Sequence, residues 1–536
     1  MSGTPDRQLW ERVRLLNGIG IALSAEKDTH RLLEMILKGA KNLTRADGGT
    51  LYSVTEDRCL KFEYLSNDSL GVAMGGTTGV SIPFEPIPLY TSEGRPNTST
   101  VVTSAVLQDQ TINIPDAYFA EGYDFSGTRT FDLKMSYRTQ SVLTIPMQNH
   151  EGDIIGVLQL INVLDDGGAV VPFSEEDQRL AESLASQAAV ALTNRRLIDD
   201  LNHLFDAFIK LIASAIDEKS PYTGGHCRRV PELTMLLAEA ASRSRVGTLG
   251  EFHLGETERY ALEVAAWLHD CGKITTPEWV MDKATKLEGL FDRIRLVDLR
   301  FEILKRDIVI DDLHARLNGV AGDGAEVEGL LAALEEERAF LHRCNIGSEA
   351  MPSQDRDRVR KIAARRFSGP GGEVTGLLDE DEIYNLTIPK GTLTPEEREV
   401  INNHMVATIN MLESLPFPKH LRNVPEYAGG HHEKMDGTGY PRGLRREEMS
   451  VPARVMAIAD IFEALTAGDR PYKPAKPLSE CLRIMARMRD ENHIDPELFQ
   501  VFLDEKIYLE YARRFLAPEQ IDIDAFIHVH DGPETA

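Results

Sequence analysis

The sequence predicts a multidomain protein in which an α+β domain is joined by a long helix to an all-α bundle with a helical insertion. Three patterns predict this. Residues from about 8 to 195 mix amphipathic helices with short alternating strands. Residues 174–220 contain neither Gly nor Pro, and from Pro221 onward the pattern is overwhelmingly helical. At roughly 100–200 residues per domain, the 536 residues allow two to four domains.

The composition excludes several classes of protein. A hydrophobic fraction of 42% with 27% charged residues is ordinary for a globular chain, which rules out wholesale disorder and collagen-like structure. The 59 Lys+Arg and 85 Asp+Glu residues give a formal net charge of −26. Binders of nucleic-acid polymers or anionic membranes depend on clustered basic residues, so neither partner is expected. Phosphate chemistry in this chain would need a local source of positive charge.

The cysteines and the N-terminus indicate a reducing compartment. The five cysteines are scattered without a CxxC pair, so neither a disulfide framework nor a thiolate zinc site is expected. The first twenty residues lack the pattern of a signal peptide. No run approaches 18 apolar residues, the length of a membrane-spanning helix. We therefore expect a cytoplasmic protein.

The first domain, residues 1–178, is predicted to begin with amphipathic helices at about 10–23 and 29–43. Short alternating strands follow in GGTLYSV, RCLKFEYL, QSVLTIPMQ and GDIIGVLQLINV. The last two strands are expected to form a hairpin that turns at Glu151 and Gly152. Helices and strands in this order and length predict one α+β domain of the size of a sensory module.

Residues 174–220 are predicted to form the connecting helix. Their apolar positions recur at alternating steps of four and three from Leu180 to Ala215, interrupted only at Gln187 and Asn194. Sustained heptads of this kind are typical of a coiled-coil seam, so we expect a homodimer formed through this helix. The alternative is two helices that pack separately on their own domains.

The second half, residues 205–530, is predicted to be an all-α domain with an insertion at about 284–387. The insertion contains charge-rich helical stretches around a flexible joint, NGVAGDGAEVEG. Its first two helices are expected to form an antiparallel hairpin. No residue set within it suggests chemistry, so we expect a role in packing or dimerisation.

Histidines and aspartates on helix ends and inward helix faces form a candidate metal site. They are His269 and Asp270 in WLHDCGK, His404 in the helix that begins TPEE, His431 and His432 in HHEKMDGTGYP, and Asp460 in VPARVMAIADIFEALTAG. Each histidine alone could be a core or turn residue, but a buried carboxylate is costly unless it is paired or bound to metal. Neutral imidazoles with carboxylates suit first-row divalent metals. With Asp270 as a bridge, these groups could hold two metals about 3.5–4 Å apart, as in two-metal phosphoester hydrolysis.

The chain resembles the HD-GYP family of metal-dependent cyclic-dinucleotide phosphodiesterases in three successive motifs. They are HD followed by GK, then HHEKMDGTGYP, and then the helix that bears Asp460. This family belongs to the wider HD superfamily of helical phosphohydrolases. The resemblance covers about residues 205–283 and 388–515, on either side of the insertion. The specific loop motif is complete here, with Glu433, Gly437, Gly439, Tyr440 and Pro441.

The resemblance implies a set of metal ligands and two divalent ions, most often iron or manganese. One metal would be held by His226 (in PYTGGHCRRV), His269, Asp270 and Asp460, and the other by Asp270, His404, His431 and His432. Some family members bind a third metal through a Glu that Tyr222 replaces in this chain, which favours a dinuclear site.

The predicted function is hydrolysis of cyclic di-GMP to pGpG, with GMP as a possible further product. Asp270 and Lys273 are the predicted catalytic residues, and Lys273 is expected to contact the non-bridging phosphate oxygens. Arg470 and Lys473 in GDRPYKP are expected to bind the second phosphate or a guanine edge, the alternative being an ordinary basic surface. Two other functions stay open: hydrolysis of mixed cyclic GMP-AMP, and a catalytically silent cyclic-dinucleotide-binding signalling module.

The stretch NIPDAYFAEGYDFSGTRTFDLKMSYRTQSVLTIPM resembles the GAF domains of cyclic-nucleotide phosphodiesterases. This resemblance implies a sensor for a small molecule that regulates the enzyme. Asn162, Phe173 and Asp177 match part of a ligand-associated signature and are the predicted ligand contacts, although Val163 stands where that signature usually has Lys. The alternative is a GAF fold that serves only as a dimerisation platform.

Overall fold

A computed structural model describes residues 5–219, 225–319, 324–348, 350–369, 371–468 and 475–522. The chain divides into two compact units, Met1–Phe205 and Asp206–Ala536. No helix within the described ranges is long and apolar enough to cross a bilayer. The α+β domain, the long helix and the largely helical second unit confirm the predicted fold class.

The first unit is built on one antiparallel sheet with helices around it. The sheet has the order β3-β2-β1-β7-β6-β5, with β4 beside β2 and β8 beside β7. The strands are β1 (Ala46–Val54), β2 (Cys59–Asn67), β3 (Val72–Gly75), β4 (Ile87–Pro88), β5 (Ile112–Ile114), β6 (Val142–Gln148), β7 (Ile154–Leu164) and β8 (Val170–Val171). The helices are α1 (Pro5–Ala25), α2 (Thr29–Thr44), α3 (Val101–Gln108) and α4 (Ser126–Met135). The predicted hairpin is present, since Asn149 N–H donates to Asp153 O and Gly152 lies at φ +90°.

The core of the first unit forms between α2, the sheet and the start of the next helix. Ile36 and Leu37 of α2 are fully buried against the strand residues Leu51 and Leu158. This pairing of one apolar helix stripe with one sheet face is the ordinary way in which an α+β layer buries its core.

After β8 the chain forms a single 45-residue helix, α5 (Glu175–Lys219). Leu180 and Leu184, the first two predicted seam positions, are buried in the core of the first unit. Farther along, eight large apolar side chains are 42–64% exposed: Val190, Leu197, Ile198, Leu201, Leu204, Phe208, Leu211 and Ile212. The exposed apolar stripe therefore begins at Val190, later than the sequence pattern alone suggested.

The second unit is a helical bundle around α15. Its helices are α6 (His226–Arg243), α7 (Glu256–Leu268), α8 (Glu278–Met281), α9 (Ile294–Leu317), α10 (Gly324–Asn345), α11 (Ser353–Ala363), α12 (Glu380–Leu386), α13 (Pro395–Ser414), α14 (Val424–Gly429), α15 (Val451–Thr466), α16 (Leu478–Asp490), α17 (Pro496–Asp504) and α18 (Ile507–Phe515). Every residue from Pro452 to Ala459 on α15 is buried, and all of them except Arg454 are apolar. A helix that is apolar on all sides belongs in a core, and α6, α14, α16 and α17 pack around it.

The segment between α8 and α13 has a core of its own. Within it, α9 and α10 run antiparallel, as the ion pair between Lys305 and Glu335 and the hydrogen bond between His342 and Asp298 show. Val297, Phe301 and Leu341 are buried between these helices. The segment also contains a short hairpin that the all-α prediction missed, β9 (Arg366–Ser368) with β10 (Val374–Gly376). The sequence between these strands, GPGGE, favours a turn over a helix.

Candidate metal centre and active site

Five segments of the second unit bring the seven predicted metal ligands together. His226 is the first residue of α6, and His269 and Asp270 directly follow α7. His404 lies on α13, Asp460 lies on α15, and His431 and His432 follow α14. α13 begins with a capping box, because Thr394 Oγ1 accepts from Glu397 N–H and Glu397 accepts from Thr394 N–H. The start of the helix that carries His404 is thereby fixed.

His226, His269 and Asp460 form the first of two clusters. His226 Nε2 lies 3.2 Å from His269 Nε2 and 3.3 Å from Asp460 Oδ1. Asp270 Oδ2 lies 3.3 Å from the Nε2 atoms of both His226 and His269. Two imidazole nitrogens and two carboxylate oxygens therefore converge at one point.

Asp270, His404, His431 and His432 form the second cluster. One ligand atom from each of these four residues lies within 4.8 Å of those of the others. Asp270 Oδ1 lies 3.3 Å from His404 Nε2 and 3.9 Å from His431 Nε2. Asp270 thus faces the first cluster with Oδ2 and the second with Oδ1, as a bridging carboxylate would.

Hydrogen bonds at Nδ1 set the tautomers of three of these histidines. The Nδ1–H groups of His269, His404 and His431 donate to the carbonyls of Ala266, Ile401 and Ala428 at 2.6–2.7 Å. A carbonyl only accepts, so each ring carries its proton on Nδ1 and directs the lone pair of Nε2 inward. Imidazoles that bind metals have this arrangement.

His226 is held by a carboxylate instead of a carbonyl. Its Nδ1–H donates to Glu463 Oε2 at 2.5 Å, and Glu463 Oε1 accepts from Arg229 at 2.6 Å. The Glu463 side chain is 1% exposed. A carboxylate behind a histidine fixes the ring and makes it a stronger metal ligand. Glu463 follows Asp460 by three residues on α15, a spacing that places the two on one helix face but does not identify Glu463 as a partner of His226.

Three buried atoms of the second cluster have no hydrogen-bond donor among the described residues. They are Asp270 Oδ1, His404 Nε2 and His431 Nε2. All three are acceptors, and all three face the same point. Buried acceptors without a donor are costly, and a divalent cation would satisfy them together. The donor set of imidazoles and a carboxylate suits a first-row metal, so the residues fit the metal that the fold implies.

The electrostatics favour a charged Asp270 and neutral His431 and His432 in the second cluster. Burial would raise the pKa of Asp270, but the Lys273 ammonium and nearby histidines outweigh it and hold the pKa well below its ordinary value. Burial lowers the pKa of His432 to about 4, and burial with the neighbouring histidines also lowers the pKa of His431. The rings are therefore available as ligands.

Lys273 lies at the edge of this centre. Its Nζ donates to Asp270 Oδ2 at 2.5 Å. Burial would lower the pKa of Lys273, but Asp270 and Asp460 outweigh it and raise the pKa, so the ammonium stays charged. The turn that carries Lys273 is held to α13, because Gly272 N–H donates to Thr408 Oγ1 at 2.9 Å.

The loop after His432 folds back onto the centre. Buried Glu433 accepts from the N–H groups of Arg442 and Leu444 at 2.7 and 2.9 Å, which closes the loop. Gly437 lies at φ +82°, and a Cβ at Gly439 would come within 2.4 Å of the Glu433 backbone. The Tyr440 ring consequently stacks on His432, with centroids 4.9 Å apart. Tyr440 and Pro441 are joined by a cis peptide bond.

A cavity of about 400 Å³ adjoins the two clusters. It is lined by His431, His432, Asp460 and Tyr440, by the cationic or titratable Lys434, Lys476 and His493, and by the apolar Ile461, Ala464, Leu465, Ala467 and Met488. Lys434, Lys476 and His493 were not among the residues predicted from the sequence. Lys434 lies within the recognised HHEKMDG loop and could have been noticed, but nothing in the sequence relates His493, after α16, to this cavity.

The remaining predicted contacts have different outcomes. Arg470, Lys473 and Tyr222 lie outside the described residues. In the first unit, Asn162 uses its side chain within the domain, since its amide donates to Tyr137 Oη and Arg138 O, and its Oδ1 accepts from Gln140 N–H.

Phe173 and Asp177 are also used within the first unit. Phe173 is part of the domain core. Asp177 accepts from Ser174 at the start of α5 and pairs with Arg12. These contacts account for all three sensor positions as structural residues, and a ligand role for them stays a prediction.

Comparisons with known proteins agree with this arrangement. The family model described as "GAF domain" matches residues 28–192, and the one described as "HD domain" matches residues 381–498. Among solved structures, the GAF domain from an Acinetobacter phosphoenolpyruvate-protein phosphotransferase is 13% identical, with a TM-score of 0.25. That match covers 35% of this chain and 96% of the other.

Curated relatives match shorter parts of the chain. The 3'3'-cGAMP-specific phosphodiesterase 3 of Vibrio cholerae is 37% identical over 28% of this chain and 30% of its own length. A cyclic di-GMP phosphodiesterase of Thermotoga maritima is 36% identical over 28% of this chain and 39% of its own. A cyclic di-GMP phosphodiesterase of Pseudomonas aeruginosa is 45% identical over 24% of this chain and 31% of its own.

The chain therefore carries a GAF domain followed by an HD domain of the HD-GYP type. It spans about a third of the length of the three curated relatives described.

Proposed function

We propose that this protein is a metal-dependent phosphodiesterase that hydrolyses cyclic di-GMP to pGpG, with GMP formed where the second ester is also cut. The observation that supports this most is the pair of His/Asp clusters between which Asp270 lies, with one carboxylate oxygen facing each. Relatives that match about a quarter of the chain are named as phosphodiesterases of cyclic dinucleotides.

The proposed cofactors are two divalent ions, iron or manganese. His226, His269 and Asp460 would hold one, His404, His431 and His432 the other, and Asp270 would contact both. When bound, the ions would supply Lewis acidity toward a phosphate and would lower the pKa of water at the site. The chain is acidic overall, so this centre would provide the positive charge that the sequence otherwise lacks.

Lys273 is proposed to bind a non-bridging phosphate oxygen. Its ammonium donates to Asp270 and is partly exposed toward solvent, so it can donate a second hydrogen bond to an incoming anion. Charge-assisted hydrogen bonds of this kind strengthen as negative charge builds on the phosphate oxygens. Lys273 would thereby stabilise the transition state more than the bound substrate.

The adjoining cavity is proposed to hold one nucleotide of the substrate. Its apolar wall, including Met488 and Leu465, offers a surface for a flat base, while Lys434 and Lys476 offer cations to a phosphate. His493 lines the same cavity, and burial together with the positive charge of Lys434 lowers the pKa of His493. Mostly apolar walls with a few polar groups are typical of small-molecule sites.

Mixed cyclic GMP-AMP is the second candidate substrate. The observation that favours it is the name of three relatives, the 3'3'-cGAMP-specific phosphodiesterases 1, 2 and 3 of Vibrio cholerae. The two substrates share their phosphodiester chemistry and differ in one base. A comparison of kcat/KM for both, on the same preparation, separates them.

We further propose that the protein is a homodimer joined through α5 and regulated by a small molecule that binds the GAF domain. The dimer rests on the apolar stripe of α5, which would leave water in a coiled coil. We place the protein in the reducing environment of the cytoplasm, in which its five cysteines, all without disulfides, would stay thiols.

The test is product analysis on a panel of cyclic dinucleotides with protein loaded with Fe²⁺ or Mn²⁺. We expect conversion of cyclic di-GMP to pGpG, and no conversion after the metal is chelated. Metal-loaded protein that binds cyclic di-GMP without cleaving any member of the panel, beside an active control enzyme, would instead establish the silent signalling module.

A further inference from the structure

The last turn of α5 contacts the turn that presents Lys273. Lys219 Nζ donates to the carbonyl oxygens of Ile274 at 2.5 Å, Thr276 at 2.7 Å and Lys273 at 3.3 Å. These carbonyls end the 3₁₀ helix Cys271–Thr275, which begins directly after Asp270. Lys273 O also accepts from Thr276 N–H within the turn, whereas the last carbonyls of a helix have no intrahelical partner and can accept from an external donor. One ammonium on α5 therefore closes the turn beside the proposed phosphate contact.

The same turn of α5 also contacts the start of α6. The two carboxylate oxygens of Asp217 accept from Gly225 N–H at 3.1 Å and from Cys227 N–H at 3.4 Å. Gly225 is the N-cap of α6 and has no side chain with which to cap it, and His226 is the first residue of the helix. A carboxylate at a helix N-terminus satisfies unpaired N–H groups and interacts favourably with the helix dipole. Asp217 thus fixes α6 at the position of His226.

We infer that Asp217 and Lys219, here called the α5 clamp, are positioning residues for the metal centre. Asp217 sets the place of His226, and Lys219 sets the place of Lys273. This inference rests on the proposed function, because it assigns the clamp a role in metal binding and turnover. Since α5 is continuous from Glu175, a change in its packing would move both anchor points together. The clamp would then be the last step by which a signal carried along α5 shifts the population of competent sites.

The experiment uses the full chain with Lys219→Met, Asp217→Ala and the matched control Glu218→Gln, whose side chain is exposed between the two. Lys219→Met should lower kcat about tenfold, because charge-assisted hydrogen bonds to the Lys273 turn are lost. Its Mn²⁺ affinity should stay within about twofold of the parent value, while amide exchange at residues 271–276 should rise. Lys219→Arg should recover most of the lost kcat, since a guanidinium can donate to the same carbonyls.

Asp217→Ala should give a different pattern. The affinity for one of the two Mn²⁺ ions should fall about tenfold, because His226 loses its fixed position. Losses of this size are typical when the residue that supports a metal ligand is removed. The proposal is overturned if both variants match Glu218→Gln in Mn²⁺ affinity, kcat and amide exchange. It is also overturned if they lose only thermal stability while kcat and metal affinity of the folded protein are unchanged.

Failure of the proposed function would be recognised separately. If the parent protein binds Mn²⁺ but cleaves no cyclic dinucleotide, the proposed phosphodiesterase activity is refuted. The positioning role of the α5 clamp can still be tested. In that case, Mn²⁺ titration of Asp217→Ala and amide exchange of Lys219→Met decide the inference alone. Unchanged values in both measurements would contradict it.

Discussion

At the scale of single residues, Glu463 distinguishes His226 from the other histidines of the centre. Glu463→Gln weakens the acceptor for His226 Nδ1–H and removes the charge that pairs with Arg229. We expect Mn²⁺ affinity to fall about 10–100-fold, as is usual when the partner of a ligating histidine is lost. Isothermal titration with Mn²⁺ measures this, with the exposed Glu505→Gln as the control. Equal affinity in the two variants would contradict the role given to Glu463.

Lys434 allows a test of the cavity as a nucleotide site. Lys434→Ala removes a cation from the cavity wall but no proposed metal ligand. We expect KM for cyclic di-GMP to rise about tenfold or more, since hydrogen bonds to charged groups contribute about 1.5–3 kcal/mol. Metal content should be unchanged. The control is Lys419→Ala, at an exposed position, and a KM equal to that of the control would show that the nucleotide binds elsewhere.

The sequence predicts some of these residues better than others. His269, Asp270, His431 and His432 stand out as adjacent pairs near glycines, which is unusual for core residues. His226, in PYTGGHCRRV, has no such pattern and was reached only through the family resemblance. His493 belongs to the cavity because the end of α16 packs near α15, and no local pattern encodes a contact between segments so far apart.

At the scale of elements, α5 shows why a heptad pattern has two possible meanings. The pattern runs through the whole helix, but Leu180 and Leu184 pack into the core of the first unit. Exposed apolar residues then recur from Leu197 at steps of four and three, through Leu201 and Leu204. Apolar periodicity reports which face is buried, and only the fold decides whether a domain or a partner buries it.

The exposed stripe of α5 gives a prediction about assembly. Leu201→Glu places a carboxylate in the proposed seam of both copies. We expect the dimer to weaken at least about 100-fold, because two buried leucines contribute about 3–6 kcal/mol together. Sedimentation equilibrium measures the change, and His203→Glu, an exposed position off the stripe, is the control. A Leu201→Glu variant that stays as dimeric as the control would place the dimer interface elsewhere, or show that there is none.

At the scale of the whole molecule, the second unit keeps its centre intact despite a long interruption. Asp270 and His404 are separated in sequence by the segment with its own core, yet Asp270 Oδ1 and His404 Nε2 lie 3.3 Å apart. The sequence predicts the bundle and its motifs because helix periodicity is local. It does not predict how α9–α12 are attached, which depends on contacts such as buried Lys283 with Glu397 of α13.

Metal removal should destabilise the second unit selectively. Its buried acceptors at Asp270, His404 and His431 would lose their cation. A ligand present at 1,000 times its Kd stabilises by about 4 kcal/mol, so we expect chelation to lower one unfolding transition by several degrees, and added Mn²⁺ to restore it. Differential scanning calorimetry measures the shift, and the Asp270→Ala variant should not respond. If neither the chelator nor Mn²⁺ shifts the temperature of any unfolding transition of the parent protein, the proposed metal centre is contradicted.

The two clusters between which Asp270 lies are proposed to hold the metals and to support hydrolysis. The most direct measurement combines metal content with product analysis on cyclic di-GMP, for the parent and for Asp270→Ala. We predict about two ions per chain and formation of pGpG for the parent, and loss of both the metal and the product for Asp270→Ala. An Asp270→Ala protein that retains the parent's metal content and turnover would contradict the claim.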